Sequence, residues 1–267
     1  MHSITQIDPH IHRLTIPYKD IYTTVCTLRT PQGVILFDGA SVPEETETYI
    51  LPFLQQVGVR LEEVKYVFIS HYHNDHSGAL PTLLPLLPNA TLLSRSGSLR
   101  QKYADYPCRS IEDGEVLLGA YRVVTIPGHS VDASGLLDLR SNTLISSDCL
   151  QAYGICGSGE WAAFIPYPVE YVAAIEKLRN LDIQQIIAAH VYEPQGYRVQ
   201  GEQAVAKYLD DCLVPLQRIQ KLILENPQLD DEALRGLFNY DPTQPRIQAR
   251  VIGAMRLAMT EGKIEML

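Results

Sequence analysis

The sequence predicts an α+β protein: an αββα sandwich, two β-sheets face to face with helices outside, carrying a helical appendage at its C-terminus. Three observations carry this. Short β-rich segments bounded by Pro and Gly recur through the first two hundred or so residues, helix-spaced segments are interspersed with them, and after Gly201 only helical patterns follow. The length of 267 residues permits one large domain with a modest extension. Residues 1–200 are therefore read as the main domain and 201–267 as a helical extension.

Ile11 to Ile16, Ile21 to Leu28 and Val34 to Phe37 read as a meander of antiparallel strands, punctuated by Pro17, Pro31 and Gly33. Ile50, Leu51, Leu54 and Val57 give Glu44 to Val57 a helical spacing, with Pro52 placed to shift or kink its start. Tyr66 to Ser70 reads as a strand, Ser77 to Leu87 as a short helix around Pro81 and Pro85, and Thr91 to Ser94 as another strand. Further strands are expected at Tyr121 to Ile126, Leu136 to Leu139, Thr143 to Ser147 and Ile186 to Ala189, with a helix from Val169 to Leu181. The tail reads as helices from Ala204 to Leu224, Asp231 to Phe238 and Arg246 to Thr260. Asp230 is placed to cap the second and Gly262 to stop the third.

Hydrophobic residues make up 46% of the chain and charged residues 20%, enough to bury a core and unlike a disordered protein. The formal charge of -9 repels a phosphate backbone, which disfavours a general nucleic-acid binder. The five cysteines (Cys26, Cys108, Cys149, Cys156, Cys212) are odd in number and form no CxxC pair, which fits a reducing cytoplasm better than a disulfide framework. The first thirty residues lack a secretory pattern and no apolar run is long enough to span a bilayer, so the expectation is a cytoplasmic protein without membrane partners.

Chemistry concentrates where the strand Tyr66 to Ser70 ends, in His71-Tyr72-His73-Asn74-Asp75-His76-Ser77-Gly78. Residues two apart on an extended strand exit face one side, so His71 and His73 can grip one metal ion. Asp75 and His76 turn with the start of the following helix and can reach a second. A solvated polar turn is the default for a lone histidine, but it explains four ligand types in six positions poorly. Three more candidates follow predicted strands: His129, Asp148 and His190. Each alone reads as a strand-end capping group; loops leaving the same sheet edge would bring them together.

These residues resemble the metallo-β-lactamase superfamily of metal-dependent hydrolases. Its HxHxDH signature is matched by His71, His73, Asp75 and His76, and its later ligands by Gly128-His129-Ser130, Ser147-Asp148 and His190. The resemblance covers about residues 10 to 195, and makes 1–200 the catalytic domain. It implies His71, His73 and His129 on one metal ion, Asp75, His76 and His190 on a second, and Asp148 bridging both. It further implies a catalytic part for Asp75 and Asp148, with Asp75 managing the leaving-group proton. Asp38 sits where relatives carry a supporting aspartate, and reads equally well as a strand-end turn carboxylate. Ser130-Val131-Asp132-Ala133-Ser134 departs from the Thr-Pro-Gly turn of many relatives. Asn74 stands where the superfamily's di-iron flavoproteins carry a carboxylate, which argues against oxygen-reducing chemistry.

Two divalent cations would carry +4 against two carboxylates, and a bound cation lowers the pKa of water to about 7. The implied activity is thus a dinuclear hydrolase using a metal-bridging hydroxide on a small ester, thioester or lactone, in the manner of glyoxalase II and lactonases. Zinc is the expected metal, with iron or manganese also suited to His and Asp donors. The substrate is expected to be a small anion, and sequence leaves the oligomeric state open. Trp161, Tyr192, Tyr197 and Arg198 are candidate substrate contacts, set in segments expected to be loops beside the last ligands. Covering the core is an equally good reading of those aromatics. Cys149 reads as a buried structural thiol rather than a ligand, and His10 and His12 as strand-edge histidines. The alternative function is a nuclease or RNA-binding member of the family using the C-terminal helices, whose Arg246, Arg250, Arg256 and Lys263 form a modestly basic end.

Overall fold

The computed structural model describes residues 2–153, 155–156, 163–239 and 246–267. The chain divides into two compact units, Met1–Val124 and Thr125–Leu267.

The first unit opens with β1 (Ser3–Gln6), β2 (Ile11–Tyr18), β3 (Ile21–Thr30) and β4 (Gly33–Phe37). These form an antiparallel meander, with Cys26 opposite Phe37 in the β3–β4 register. A π-helical turn, Thr46–Ile50, continues into α1 (Leu51–Gln56). Pro52 lies just past the junction of the two, in the first turn of α1. Next come β5 (Val64–Phe68), α2 (Asn74–Ser77), α3 (Leu80–Leu83), β6 (Thr91–Leu93), α4 (Gly97–Lys102) and β7 (Cys108–Arg109). The seven strands make one sheet in chain order, antiparallel up to β4 and parallel from β4 to β7. Parallel pairing follows from the helical crossovers, since a tight hairpin can only reverse direction. The hairpin β8 (Val116–Leu117) and β9 (Tyr121–Thr125) closes this stretch.

The core of the unit joins Leu14, Val25, Leu36 and Val67 from the sheet with Phe53, Leu54, Leu80 and Leu83 from α1 and α3. The expected single helix from Ser77 to Leu87 is instead broken into α2, α3 and a 3-10 turn, Leu84–Leu86, and begins three residues earlier. The Ala79 N–H is drawn out of the helix to the Gly39 carbonyl at 3.0 Å and Pro81 has no N–H to donate, which breaks the run beside a close backbone approach. A Cβ at Gly78 would lie 1.7 Å from the Ser41 carbonyl oxygen, and the Gly78 N–H donates to the Ala40 carbonyl at 2.9 Å.

The second unit contains β10 (Ser134–Asp138), β11 (Thr143–Ser147), β12 (Ile155–Cys156), α5 (Pro168–Arg179), β13 (Gln185–Glu193) and β14 (Gly196–Gln200). Strand β11 pairs antiparallel with β10 and parallel with β13, which also pairs antiparallel with β12 and β14. Helix α5 supplies the crossover that makes the β11–β13 pair parallel. The sequence pattern ends this last strand at Ala189; in the structure β13 runs on to Glu193 and folds back through Gly196, at φ +74°, into β14. His190 and Tyr192 therefore lie within a strand, and Tyr197 and Arg198 on its hairpin partner, rather than in loops.

Three helices complete the chain: α6 (Glu202–Glu225), α7 (Asp231–Phe238) and α8 (Ala249–Thr260). Helix α6 buries Val205, Tyr208, Leu209, Cys212, Leu216 and Ile219, the stripe of an amphipathic helix, and packs on α5, β14 and α8. Asp230 caps α7, its Oδ1 accepting the Ala233 N–H at 2.8 Å, and Gly262 ends α8 at φ +64°. Helix α8 starts at Ala249, later than its sequence pattern, because Asn239 exchanges two side-chain hydrogen bonds with the Ile247 backbone and holds that residue outside the helix.

Candidate metal centre

In the first unit, the parallel neighbours β4 and β5 end side by side, Phe37 opposite Phe68. Asp38 leaves β4 and the histidine cluster leaves β5, at the carboxyl end where parallel strands present their sites. Asp38 is fully buried at φ +64°. One of its oxygens accepts the Ser70 N–H at 2.9 Å and the other lies 2.8 Å from His76 Nδ1, fixing both the strand exit and the ring. The turn-carboxylate reading and the supporting reading of Asp38 thus both hold. His76 in turn presents Nε2 3.5 Å from Asp75 Oδ2.

Beside them, Ser70 Oγ lies 3.0 Å from His71 Nδ1, leaving His71 Nε2 to face His73 Nδ1 at 3.0 Å. The two rings meet edge to face, with centroids 4.5 Å apart. Asn74 points elsewhere: its side-chain amide donates to the Ser41 carbonyl at 2.7 Å and ties the cluster to the loop after β4. Thr23 on β3 donates to the Asp75 carbonyl, anchoring the same turn from the sheet. Near this carboxylate the Tyr18 phenol is held above its usual pKa, first by burial and then by the Asp75 charge.

In the second unit, the parallel pair β11 and β13 performs the same service. Asp148 follows β11 directly, and His190 lies two residues beyond Ala188, the partner of Ser147. Asp148 Oδ2 is 2.9 Å from His190 Nε2 and 3.9 Å from His129 Nε2, so one carboxylate serves two imidazoles. All three residues are buried.

His129 is held by a set of groups that sequence reasoning missed. The Phe164 carbonyl lies 3.0 Å and Gln151 Nε2 2.8 Å from its Nδ1, while Gln151 Oε1 accepts the Phe164 N–H at 2.7 Å. The turn itself is fixed by Gly128 at φ +148°, where a Cβ would lie 2.3 Å from Tyr171 Cδ2. Ser130 and Asp132 share a short side-chain hydrogen bond, replacing the family's proline turn with a polar one. Arg250 of α8 lies over the Phe164 ring, 5.5 Å from its centroid, and the Arg246 carbonyl accepts the Ala163 N–H at 3.0 Å. The helical tail thereby braces the segment that holds His129. Nothing in the sequence near Gln151 announces this, because its partners are 13 and 22 residues away.

The donor set suits divalent cations. Ligand atoms of His71 and His73, of Asp75 and His76, and of Asp148 and His190 lie within 4.8 Å of each other in each pair. Imidazole backed by serine, aspartate or backbone carbonyl is the usual environment of a metal-ligating histidine. Cys149 is fully buried. Of the expected substrate contacts, Trp161 lies outside the described residues. Tyr192 is buried, and its phenol is pushed well above the usual pKa by burial and then by Asp148. Tyr197 is half-buried. Arg198 pairs across from Ile187 and donates through Nε to Gln185 Oε1 at 2.7 Å, toward the end of β13 remote from His190.

Comparison with known proteins accords with this arrangement. The family model of the metallo-beta-lactamase superfamily matches residues 21–190. An atrochrysone carboxyl ACP thioesterase from Emericella nidulans is 24% identical over 239 residues, covering 87% of this chain and 69% of that protein. A lactamase-like protein, vrtG, from Penicillium aethiopicum is 26% identical over 195 residues, covering 70% of this chain but only 59% of its own length. Among solved structures, a metallo-beta-lactamase family protein from Thermus thermophilus is similar with a TM-score of 0.70 at 17% identity, covering 96% and 95% of the two chains. A variant flavo di-iron protein from Thermotoga maritima gives 0.63 at 16% identity, covering 85% and 69%.

The chain belongs to the metallo-beta-lactamase superfamily, and its α+β fold, with two mixed sheets and C-terminal helices, is the αββα class expected from the sequence. It is an enzyme of the metal-dependent hydrolase class. Among the described residues, no helix is long and apolar enough to cross a membrane.

Proposed function

We propose that this protein is a dinuclear metal-dependent hydrolase of small esters, thioesters or lactones, with thioesters favoured by the thioesterase relative. The observation that carries the reading is the set of buried imidazoles in both units, of which His71, His76 and His129 are oriented from behind, set beside a second imidazole or a carboxylate. In this proposal His71, His73 and His129 hold one cation, Asp75, His76 and His190 the other, and Asp148 both. Zinc is the proposed metal, with iron or manganese the alternatives its donors allow. Bound there, the cations would polarise the scissile carbonyl and lower the pKa of water, so no serine or cysteine nucleophile is needed.

The residues do the rest. Asp38 and Ser70 fix the rings of His76 and His71; the Phe164 carbonyl, on a residue whose own N–H donates to Gln151 Oε1, fixes His129. Asp75, less buried than Asp38 or Asp148, is the group proposed to receive a proton and pass it to the leaving group. A cationic cleft of this kind draws small anions despite the overall charge of -9. Residues 1–200 are proposed to carry the chemistry, and 201–267 to brace it. Within the tail Arg250 lies over Phe164 and Arg256 is bound to Asp231 and the Leu229 carbonyl, and the overall charge of -9 favours a small anion over a polyanion as substrate.

The test has two parts. Protein purified without chelator is analysed for metal, with two ions per chain expected and a saturated ratio of one contradicting the dinuclear reading. The loaded protein is then assayed on a thioester and lactone panel and on single-stranded RNA. Turnover on the first and weak, salt-sensitive binding of the second are expected. Efficient RNA cleavage at near-physiological salt would replace the proposal.

A further inference from the structure

In the second unit, Tyr171 of α5 acts on the turn that carries His129 by two separate contacts. Its ring packs directly on the residue before the histidine: a Cβ at Gly128 would lie 2.3 Å from Tyr171 Cδ2 and 2.6 Å from Tyr171 Cβ, so the turn passes the ring only as glycine. Its hydroxyl reaches the same histidine by another route. The phenol oxygen accepts the Gln151 N–H at 2.9 Å, and both residues are buried.

From Gln151 the contacts lead to the imidazole. With its backbone held by Tyr171, Gln151 turns Oε1 to the Phe164 N–H at 2.7 Å, and the Phe164 carbonyl lies 3.0 Å from His129 Nδ1. A carbonyl oxygen can only accept, so this contact requires a proton on Nδ1 and leaves Nε2 its lone pair, the form of a neutral imidazole that grips a cation through Nε2. That nitrogen is the one facing Asp148, at 3.9 Å.

The phenol is itself held in place. Tyr171 is fully buried, with the Cys212 thiol of α6 as its side-chain partner, and burial keeps the phenol well above its usual pKa and therefore neutral. Helix α6 grips the same segment two residues further on, where the Asp211 carbonyl accepts the Tyr153 N–H at 2.9 Å. The nearby phenol of Tyr208 makes a useful contrast, for it too is buried, yet its hydroxyl has no hydrogen-bond partner among the described residues.

We propose that Tyr171 is a positioning residue for His129: its ring sets the turn, and its hydroxyl, through Gln151 and Phe164, sets the tautomer and aim of the imidazole. The consequence for a bound metal rests on the dinuclear reading; the imidazole itself can be observed without metal.

Tyr171→Phe keeps the ring against Gly128 and removes only the acceptor of the Gln151 N–H. In imidazole nitrogen-15 spectra of the metal-free full chain above neutral pH, with His129 assigned through its loss in His129→Gln, the parent is expected to show the Nδ1–H tautomer. Tyr171→Phe should show a mixture of both, and so should Gln151→Ala, which cuts the route one link nearer and serves should the first variant not fold. With cobalt bound, Tyr171→Phe should weaken affinity about three- to tenfold in chelator competition, less than a direct partner, and shift the visible spectrum in the same sense as Gln151→Ala. Because both changes cut one route, the double variant should lose no more than Gln151→Ala alone. Tyr208→Phe is expected to match the parent in tautomer, affinity and spectrum. A parent without the Nδ1–H form, or a Tyr171→Phe that melts earlier yet keeps the parent's imidazole and cobalt spectra, would overturn the proposal and leave Tyr171 to core packing; additive losses in the double variant would overturn the route through Gln151. A parent chain that binds one metal ion only would overturn the dinuclear reading alone, since the metal-free spectra decide the positioning claim by themselves.

Discussion

The two units solve one problem with different chemistry. In the first, candidate ligand imidazoles are supported by charge and hydroxyl: Asp38 holds His76 and Ser70 holds His71, all within a few residues of two adjacent strand ends. In the second, His129 is supported by a neutral amide, the Phe164 carbonyl, which Gln151 holds in place through the Phe164 N–H, and that support is braced from helix α8. A carboxylate strengthens its histidine as a donor and binds it locally; an amide system is weaker, and depends on segments far along the chain. Disturbing the first unit should therefore act on the metal through electrostatics, and disturbing the second through geometry.

The largest effect is expected at Asp148, the carboxylate shared by His129 and His190. Asp148→Ala should lower turnover roughly a hundredfold or more and reduce bound metal, because loss of a ligand exceeds loss of a supporting group. Metal analysis beside thioester kinetics checks this, and unchanged stoichiometry would remove Asp148 from the proposed bridge. Asp38→Asn comes next. The amide can accept from only one of its two partners, the Ser70 N–H or His76, and must oppose the other with its own N–H groups. A loss of metal affinity of roughly 10- to 100-fold is expected in chelator competition.

Gln151→Ala should act less strongly, costing about tenfold in metal affinity with a small change in melting temperature. Spectra of cobalt-loaded protein would sharpen the comparison, since the distortion should appear in Gln151→Ala and in Arg250→Ala in the same sense. Equal effects of Asp38→Asn and Gln151→Ala would erase the distinction between charged and neutral support.

The smallest effect concerns both units alike. Burial raises the thiols of Cys26 in the first unit and Cys212 in the second from 9.0 to about 12. The unfolded chain ionises them first, so their contribution to stability is whole below pH 9.0 and is lost as pH rises toward 12. Denaturant unfolding at pH 8 and pH 10.5 should show the loss only at the higher value, and Cys212→Ala should reduce it. A decline between pH 7 and 9 would have to come from other groups.

Legibility in the sequence followed the distance between cooperating residues. The run from His71 to His76 could be read as chemistry because its ligand types stand together, and Asp230 and Gly262 as helix ends because capping is local. Asp148 was legible as a residue leaving a strand, and the structure places it directly after β11. The end of β13 was not, since Glu193-Pro194-Gln195-Gly196 carries turn composition, while the pairing of Tyr192 with Gly196 and with Cys156 extends the strand past His190. Nor was the break after Gly78, where the Ala79 N–H is drawn to the Gly39 carbonyl, 40 positions earlier.

What the sequence by itself determined about this protein is thus the inventory: strands by period and branching, helices by stripe and cap, and the kinds of ligand that could grip a cation. Only the tertiary structure decided how those ligands are supported. Asp38 reaches His76 because β4 and β5 pair in parallel, and Gln151 reaches His129 because Phe164 closes on both. Such contacts arise from packing between segments distant along the chain, and local propensity carries no record of them.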